Sequence, residues 1–242
     1  MKMTHAMLQL ALVLLISVGA NASAQDAAAG NQATLADFPF WQKMSGWWAS
    51  DNTYLDSDMN YLIRSYNSLV HIELDGRNFR ETEIRIYPAG VGASRYGKGL
   101  EKPDEGIEVV VTTTGELIDD SGSLGKIFMD HSASSSGPHV VYRMLGENDG
   151  FRLNTNPKTG VDAYRMYFNF VTSERRLRSN VGLYSEGEDM GGLRAFILYR
   201  DRRISPSAFE ARRAALRKTH NVKTLSVADP DNPGQSLVTR LD

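Results

Sequence analysis

The sequence predicts a mainly β protein, a single antiparallel β-barrel of about 8–10 strands with one C-terminal α-helix. Short segments in which apolar and polar residues alternate recur along the chain, and a period of two is typical of half-buried strands. Turns rich in glycine, asparagine and serine separate these segments, as they do in barrels and sandwiches. A helical pattern with a capping signature appears with clarity only near the C-terminus.

The first 24 residues have the features of a secretory signal peptide. Lys2 gives a basic start, an apolar run extends from Ala6 to Ala20, and Ala22-Ser23-Ala24 fits the pattern before a cleavage site. The apolar run is shorter than the roughly 20 residues that span a bilayer. We therefore expect a periplasmic or secreted protein with no stable membrane insertion after signal cleavage. Residues 25–36 are predicted to be a flexible leader and residues 37–242 a single barrel domain.

The composition excludes several function classes. A formal net charge of −2 at pH 7 gives no basis for nucleic-acid binding. The chain has no cysteine, which excludes disulfides, cysteine nucleophiles and iron–sulfur clusters. No histidines have the close helical spacing of a zinc site, and no nucleotide-binding motif appears in the right context, so neither a metal nor a cofactor is expected. The oligomeric state is left open.

The first ordered part of the chain is predicted to be aromatic. Trp41, Trp47 and Trp48 lie within eight residues of one another, and rings of this size are predicted to close one end of a core. Residues 61–74 and 79–87 then form two strands, because Asp75-Gly76 between alternating segments indicates a hairpin. Residues 88–106 are a long loop, predicted to be either a lid or a solvated excursion.

The second half of the chain continues the strand pattern. Further strands are predicted over residues 107–114, 124–131, 140–145, 151–154 and 193–200. Pro206 follows Ser205 in a first-turn position, and Ser207 with Glu210 fits a capping box, so the C-terminal helix starts here. The tail from Asn221 is expected to be extended and to pack along the surface.

Residues 161–184 are predicted to form an antiparallel hairpin around the turn Thr172-Ser173-Glu174-Arg175. One face of this hairpin is nearly all apolar and carries Tyr164, Met166, Phe168, Phe170, Leu177, Ser179, Val181 and Leu183. The opposite, polar face carries Arg165, Tyr167, Asn169, Arg178, Asn180 and Tyr184. If the apolar face looks inward, the barrel holds a packed core or a hydrophobic pocket, and if the polar face looks inward, it holds a reaction chamber. Alternation leaves both open.

Arginine, tyrosine, asparagine and carboxylate side chains recur within the predicted strands, and residues 61–87 contain no lysine. Facing a cavity, such groups acquire shifted pKa values that suit acid–base chemistry. Facing outward, they form solvated ion pairs worth at most about 1 kcal/mol each. The predicted catalytic residues are Glu83 and Tyr167, with His131 as an alternative base. The predicted substrate-binding residues are Arg64, Tyr66, Arg85, Arg143, Arg165, Asn169, Arg178 and Asn180.

The segment Gly46-Trp47-Trp48 on the first strand resembles the Gly-x-Trp corner of the calycins, the lipocalin-like barrels, with Trp47 or Trp48 in the place of the motif's tryptophan. The order of many short strands followed by one helix is also similar to a calycin. The resemblance implies an up-and-down barrel with a central cavity for a small, mostly hydrophobic ligand. It brings no catalytic residues with it.

The function expected from these features is that of an exported, cofactor-independent enzyme of the lyase, hydratase or cyclase type. Its substrate is an aromatic or hydrophobic small molecule in the barrel, a carboxylate or histidine moves the proton, and arginine, tyrosine and asparagine hold an oxyanion. The alternative is a non-catalytic periplasmic carrier or binding protein for the same kind of molecule. A weaker alternative is a structural envelope protein that uses residues 88–106 as a partner surface.

Overall fold

Ten antiparallel strands close into a barrel, and two further strands extend the sheet on one side. The computed structural model describes residues 32–56, 58, 60, 66–91, 93, 100, 102–130, 140–154, 165–183, 192–232 and 234–241. The strands are β1 (Gly46–Asp56), β2 (Asn67–Asp75), β3 (Asn78–Tyr87), β4 (Gly106–Leu117), β5 (Leu124–Met129), β6 (Val140–Met144), β7 (Asp149–Asn154), β8 (Arg165–Val171), β9 (Arg175–Leu183), β10 (Leu193–Arg203), β11 (Val222–Ala228) and β12 (Ser236–Arg240).

The barrel is an up-and-down meander. Each strand from β1 to β10 pairs with its neighbours in sequence, and β10 pairs back onto β1 to close the ring. One edge of β4 is shared, because its C-terminal half pairs with β5 and its N-terminal half pairs in parallel with β11. The predicted antiparallel barrel of 8–10 strands is confirmed. The tail that was expected to be extended supplies β11 and β12.

The described residues form two α-helices, α1 (Pro39–Met44), which closes one end of the barrel, and α2 (Pro206–Thr219), which packs on its outside. The predicted C-terminal helix is confirmed, but its N-cap is Ser205 and not Ser207, because the Ser205 side chain accepts a hydrogen bond from the backbone N–H of Ala208. Phe209 of α2 is 2% exposed and packs on the outside of β1 to β3 against Trp47 and Ile84. Among the described residues, neither helix has the length and hydropathy needed to cross a membrane.

An aromatic plug fills one end of the barrel interior, the lumen. Its members are Phe40, Trp41, Trp48 and Phe79. The indole N–H groups of Trp41 and Trp48 donate to the backbone oxygens of Gly122 and Met44 at 2.7 and 3.0 Å. Leu35 is fully buried against the plug although it lies in the segment predicted to be a flexible leader. Ordered packing therefore begins within that segment.

Trp47 and Trp48 point to opposite sides of β1, so only two of the three tryptophans belong to the plug. Trp47 lies outside the barrel and stacks on His71 with ring centroids 3.5 Å apart. Trp48 has the Gly-x-Trp spacing from Gly46, whose φ of +102° suits glycine. The guanidinium of Arg203 lies 4.3 Å above the Trp48 ring and donates to the backbone oxygens of Ser45 and Lys43. The up-and-down barrel that this resemblance implies is confirmed.

The opposite end of the lumen is filled by a mouth layer, defined as Tyr66, Tyr87, Ala93, Leu100 and Ile107. Ala93 and Leu100 belong to the long loop between β3 and β4, and they are 0% and 5% exposed. These two positions of the loop are therefore packed into the barrel mouth and are not solvated.

Candidate functional site

The polar face of the β8–β9 hairpin lines the lumen and its apolar face looks outward. Asn169 and Arg178 are 5% and 8% exposed, whereas Phe170 and Leu177 are 55% and 41% exposed. The same orientation holds on β3, where Glu83 is 4% exposed and faces the lumen. Charged residues are rarely buried unless they are paired, so this orientation requires partners across the lumen.

A cavity of about 30 Å³ lies between the plug and the mouth layer, which is room for roughly two water molecules. Its charged lining residues are Glu81, Glu83, Arg85, Arg152 and Arg178. Its remaining lining residues are Val111, Thr113, Met129, Tyr142, Tyr167, Asn169 and Tyr199. The wall is thus polar on several strands, and Val111 of β4 and Met129 of β5 form its apolar part.

Glu83 is an ionised carboxylate held by two arginines. Its Oε2 accepts hydrogen bonds from Nε and Nη2 of Arg85 at 2.7 and 2.5 Å, and its Oε1 lies 3.8 Å from Nη2 of Arg178. Burial raises the pKa of Glu83, but the charges of Arg85 and Arg178 outweigh it and keep that pKa below its usual value. Oε1 is buried and makes no hydrogen bond of acceptable geometry, although the nearby hydroxyl of Ser68 also lowers the pKa of Glu83.

Asp201 is the centre of a second buried network, on β9 and β10. Its Oδ2 accepts hydrogen bonds from Nε of Arg176 and Nε of Arg178 at 2.5 and 2.8 Å. Burial raises the pKa of Asp201, and the charges of Arg178 and Arg176 reverse this effect and lower it. Arg176 is 1% exposed, and its Nη1 lies 3.6 Å from Oε2 of Glu81. Sequence reasoning missed Arg176 and Asp201, although Arg176 alternates onto the same face as Arg178.

Two neutral phenols lie above these networks. The hydroxyls of Tyr66 and Tyr199 are 2.9 Å apart, and the guanidinium carbon of Arg178 lies 4.3 Å from the centroid of the Tyr199 ring. Burial raises the pKa of Tyr199 to about 12 and raises that of Tyr66 well above its usual value. Both hydroxyls are therefore protonated at neutral pH and act as hydrogen-bonding groups.

Arg152 on β7 is a further lining residue that sequence reasoning missed. Its side chain is 7% exposed, and its guanidinium carbon lies 3.9 Å from the centroid of the Tyr167 ring. Its Nε is buried without a hydrogen-bond partner. The strand over residues 151–154 was predicted, but a single arginine in so short a strand gave no signal of which way it points.

The structure brings only some of the predicted site residues together. Glu83, Arg85, Tyr167, Asn169 and Arg178 line the cavity, and Tyr66 belongs to the mouth layer. Asn180 also lies on the inward face of β9, and its Oδ1 is buried without a hydrogen-bond partner.

Other predicted residues are not in the cavity or are not described. The side chain of Arg143 is exposed and lies on the outside of β6, because the alternate residue Tyr142 faces inward. Arg64 and His131 lie outside the described residues, and Arg165 belongs to β8 with a side chain that is not described. In the part of the chain that the structure describes, no three histidine, aspartate or glutamate groups cluster as metal ligands.

No family model matches the chain, and no curated protein matches it. Among solved structures, the S-type phycobiliprotein lyase CPES from Guillardia theta is similar, with 12% sequence identity and a TM-score of 0.38. The match covers 72% of this chain and 95% of that chain. A likeness of this size supports no conclusion about activity.

Proposed function

We propose that this protein binds a small molecule inside the barrel and holds the polar groups of that molecule against Glu83, Arg152 and Arg178. The observation that carries the proposal is the presence of unpartnered polar atoms on the cavity wall. Oε1 of Glu83 and Nε of Arg152 are buried without hydrogen-bond partners. A buried polar atom left in this state costs about 1–3 kcal/mol, and a ligand or an ordered water provides the missing partner.

The apolar part of the wall supports an aromatic or otherwise partly hydrophobic ligand. Val111 and Met129 lie on one side of the cavity, and the rings of Tyr167 and Tyr199 lie on others. The cavity itself has room only for groups the size of water. A ligand with a ring therefore has to displace side chains of the mouth layer, and one of these, Leu100, lies in the loop between β3 and β4. Part of the ligand then lies among the tyrosine rings, where stacking is favourable.

Binding without chemistry is the function that the electrostatics support best. A general base is most effective when its pKa lies near the working pH. Glu83 has a lowered pKa, which makes it a weak base, and its hydrogen bond with Arg85 fixes the position of its carboxylate. We therefore favour a carrier or binding protein over the enzyme.

The binding proposal is tested by titrating the protein with 2-naphthamide, a neutral aromatic probe, in a calorimeter. We expect saturable binding that is weakened or abolished by Val111→Phe, because the added ring fills the cavity. Val238→Phe makes the same change at an exposed position on β12 and should leave binding unchanged. An absence of binding, or equal binding by the wild type and Val111→Phe, would show that the barrel interior is not the site.

The second candidate is the acid–base enzyme of the lyase, hydratase or cyclase type. It is favoured by one arrangement, an unpartnered carboxylate oxygen on Glu83 that faces the same cavity as the phenols of Tyr167 and Tyr199. This arrangement pairs a proton acceptor with oxyanion donors. Mass spectrometry of the compound that co-purifies with the wild type, Glu83→Gln and Tyr167→Phe separates the two functions. A carrier yields one mass throughout, whereas an enzyme yields product with the wild type and substrate with the variants.

Export to the periplasm or the medium is part of the proposal and is supported by residues 1–24. N-terminal sequencing of the protein from the extracytoplasmic fraction should begin at Gln25. Recovery of the full chain from the cytoplasm would contradict it.

A further inference from the structure

The lumen carries more positive than negative charge. Among the described residues that line the cavity or form ion pairs with its lining residues, four arginines stand against three carboxylates. The arginines are Arg85, Arg152, Arg176 and Arg178, and the carboxylates are Glu81, Glu83 and Asp201. Within the described part of the chain, one positive charge of this set therefore has no matching carboxylate.

The unmatched charge belongs to Arg152. Arg85 pairs with Glu83, and Arg176 and Arg178 share Asp201. In the ion pairs found among the described residues, Arg152 takes no part, although its side chain is 7% exposed. A buried charge is normally paired, because removing an ion from water is costly unless an opposite charge compensates it.

The Tyr167 ring orients the Arg152 side chain, but the Nε–H group of Arg152 donates no hydrogen bond. β7 and β8 are in register at Arg152 and Tyr167, and the guanidinium lies 3.9 Å over the Tyr167 ring. This contact orients the side chain but supplies no anion, and Nε has no hydrogen-bond partner. A planar guanidinium in this state matches a carboxylate or sulfonate, which takes two parallel hydrogen bonds from it.

We propose that Arg152 is an anion subsite and that the ligand of the barrel is an organic acid, with its carboxylate or sulfonate on Arg152 and its apolar part toward the mouth layer. This inference rests on the proposed binding function and names the class of ligand. It differs from the sequence-based expectation, in which the ligand is hydrophobic and Arg152 has no role. Asn169, 5% exposed on the same wall, offers an amide beside the subsite.

The first test compares 2-naphthoate with 2-naphthamide on the wild-type protein by calorimetry. The two probes have the same ring and nearly the same shape, and they differ in charge. We expect the naphthoate to bind at least about tenfold more tightly and its affinity to change little with salt, because a buried pair is screened weakly. If both probes bind equally, the anion subsite is wrong and the binding function stands. If neither probe binds, the proposed function itself fails.

The second test assigns the preference to Arg152. Arg152→Gln should weaken naphthoate binding by about 30-fold or more, which is the usual range for truncating one partner of a buried charge pair. Binding of 2-naphthamide should change by less than threefold. Arg200→Gln removes the same charge from an exposed position on β10 and serves as the matched control. Phe170→Gln alters the outer apolar face and should leave both affinities unchanged.

Two results would overturn the assignment to Arg152. One is an equal loss of naphthoate binding in Arg152→Gln and Arg200→Gln, which would indicate a general effect of net charge. The other is a loss in Phe170→Gln, which would place the probe on the outside of the barrel. Should Arg152→Gln not fold, judged by its thermal transition, Arg152→Lys keeps the charge without the planar fork. It is then expected to bind naphthoate more weakly than the wild type.

Discussion

Two buried glutamates on neighbouring strands, Glu83 on β3 and Glu108 on β4, have closely similar surroundings and different roles. They are 4% and 0% exposed, each lies beside two arginines, and each has a lowered pKa. Glu83 faces the lumen, whereas Glu108 faces outward under α2. Oε1 of Glu108 accepts hydrogen bonds from Arg213 and Arg217 at 2.6–3.2 Å, and Oε2 accepts one from Arg217 at 2.5 Å.

The two glutamates differ in whether both carboxylate oxygens accept hydrogen bonds. Glu108 has a complete set of donors, so its function is to fasten α2 onto the barrel. Glu83 has one oxygen without a hydrogen bond, and that oxygen faces a cavity. Burial and a lowered pKa alone therefore do not distinguish a binding group from a structural one in this fold. The distinguishing feature is a polar atom on the cavity wall that makes no hydrogen bond.

The largest expected effect is on stability and comes from Glu108→Gln. The variant leaves Arg213 and Arg217 without their carboxylate at a helix–sheet contact, and breaking a buried pair in this way costs about 3 kcal/mol. Urea denaturation should show this loss, while the affinity for 2-naphthamide stays that of the wild type. A change in affinity with no loss of stability would reverse the roles given to the two glutamates.

Glu83→Gln is expected to lower the unfolding free energy less, by about 1–2 kcal/mol, because Arg178 keeps Asp201 as its partner and the new amide still accepts a hydrogen bond. The same variant removes one negative charge from the lumen. Binding of 2-naphthoate should therefore become tighter while binding of 2-naphthamide does not. Calorimetry on both probes checks this, and weaker naphthoate binding would contradict the charge balance inferred for the cavity.

The pH dependence of stability should separate the two glutamates from the rest of the chain. A carboxyl with a lowered pKa in the folded state stabilises the protein above its ordinary pKa of 4.5, and this stabilisation is lost as pH falls through the lower folded value. Glu105, which Arg240 holds at a pKa of about 2, acts in the same direction. Glu83→Gln and Glu108→Gln should each lose less stability than the wild type between pH 7 and pH 3. If either variant loses as much stability as the wild type over this range, the pKa of the glutamate that it replaces is not lowered.

The sequence predicted the strands and their faces but not which face is inside. Alternation with a period of two assigns Phe168 and Phe170 to one face and Tyr167 and Asn169 to the other, and it is symmetric between lumen and solvent. The choice depends on partners that lie far apart in sequence, such as Asp201, which compensates Arg176 and Arg178 across the β9–β10 pair. Such pairs are set by strand register, which single-strand patterns do not contain.

The candidate site was predicted in part for the same reason. Arg85, Asn169 and Arg178 were predicted because arginine, tyrosine, asparagine and carboxylate groups recur within the predicted strands. Arg152 has the same chemistry but lies in a strand of six residues, where alternation is too short to assign a face. Trp47 and Trp48 were both predicted to be buried in the core because they are aromatic. The two side chains point to opposite faces of β1, so Trp48 belongs to the plug and Trp47 lies on the outer surface of the barrel.

The smallest expected effect comes from the exposed ion pair between α2 and β1. Nη2 of Arg212 lies 3.4 Å from Oδ1 of Asp51, and the two side chains are 34% and 52% exposed. Exposed pairs contribute about 0–1 kcal/mol, so Asp51→Asn should change the unfolding free energy by no more than about 0.5 kcal/mol. This pair joins the same helix to the same barrel as Glu108 does, and urea denaturation of both variants measures what burial adds. If Asp51→Asn lowers the unfolding free energy as much as Glu108→Gln does, burial of the Glu108 ion pairs adds nothing to the stability of the helix contact.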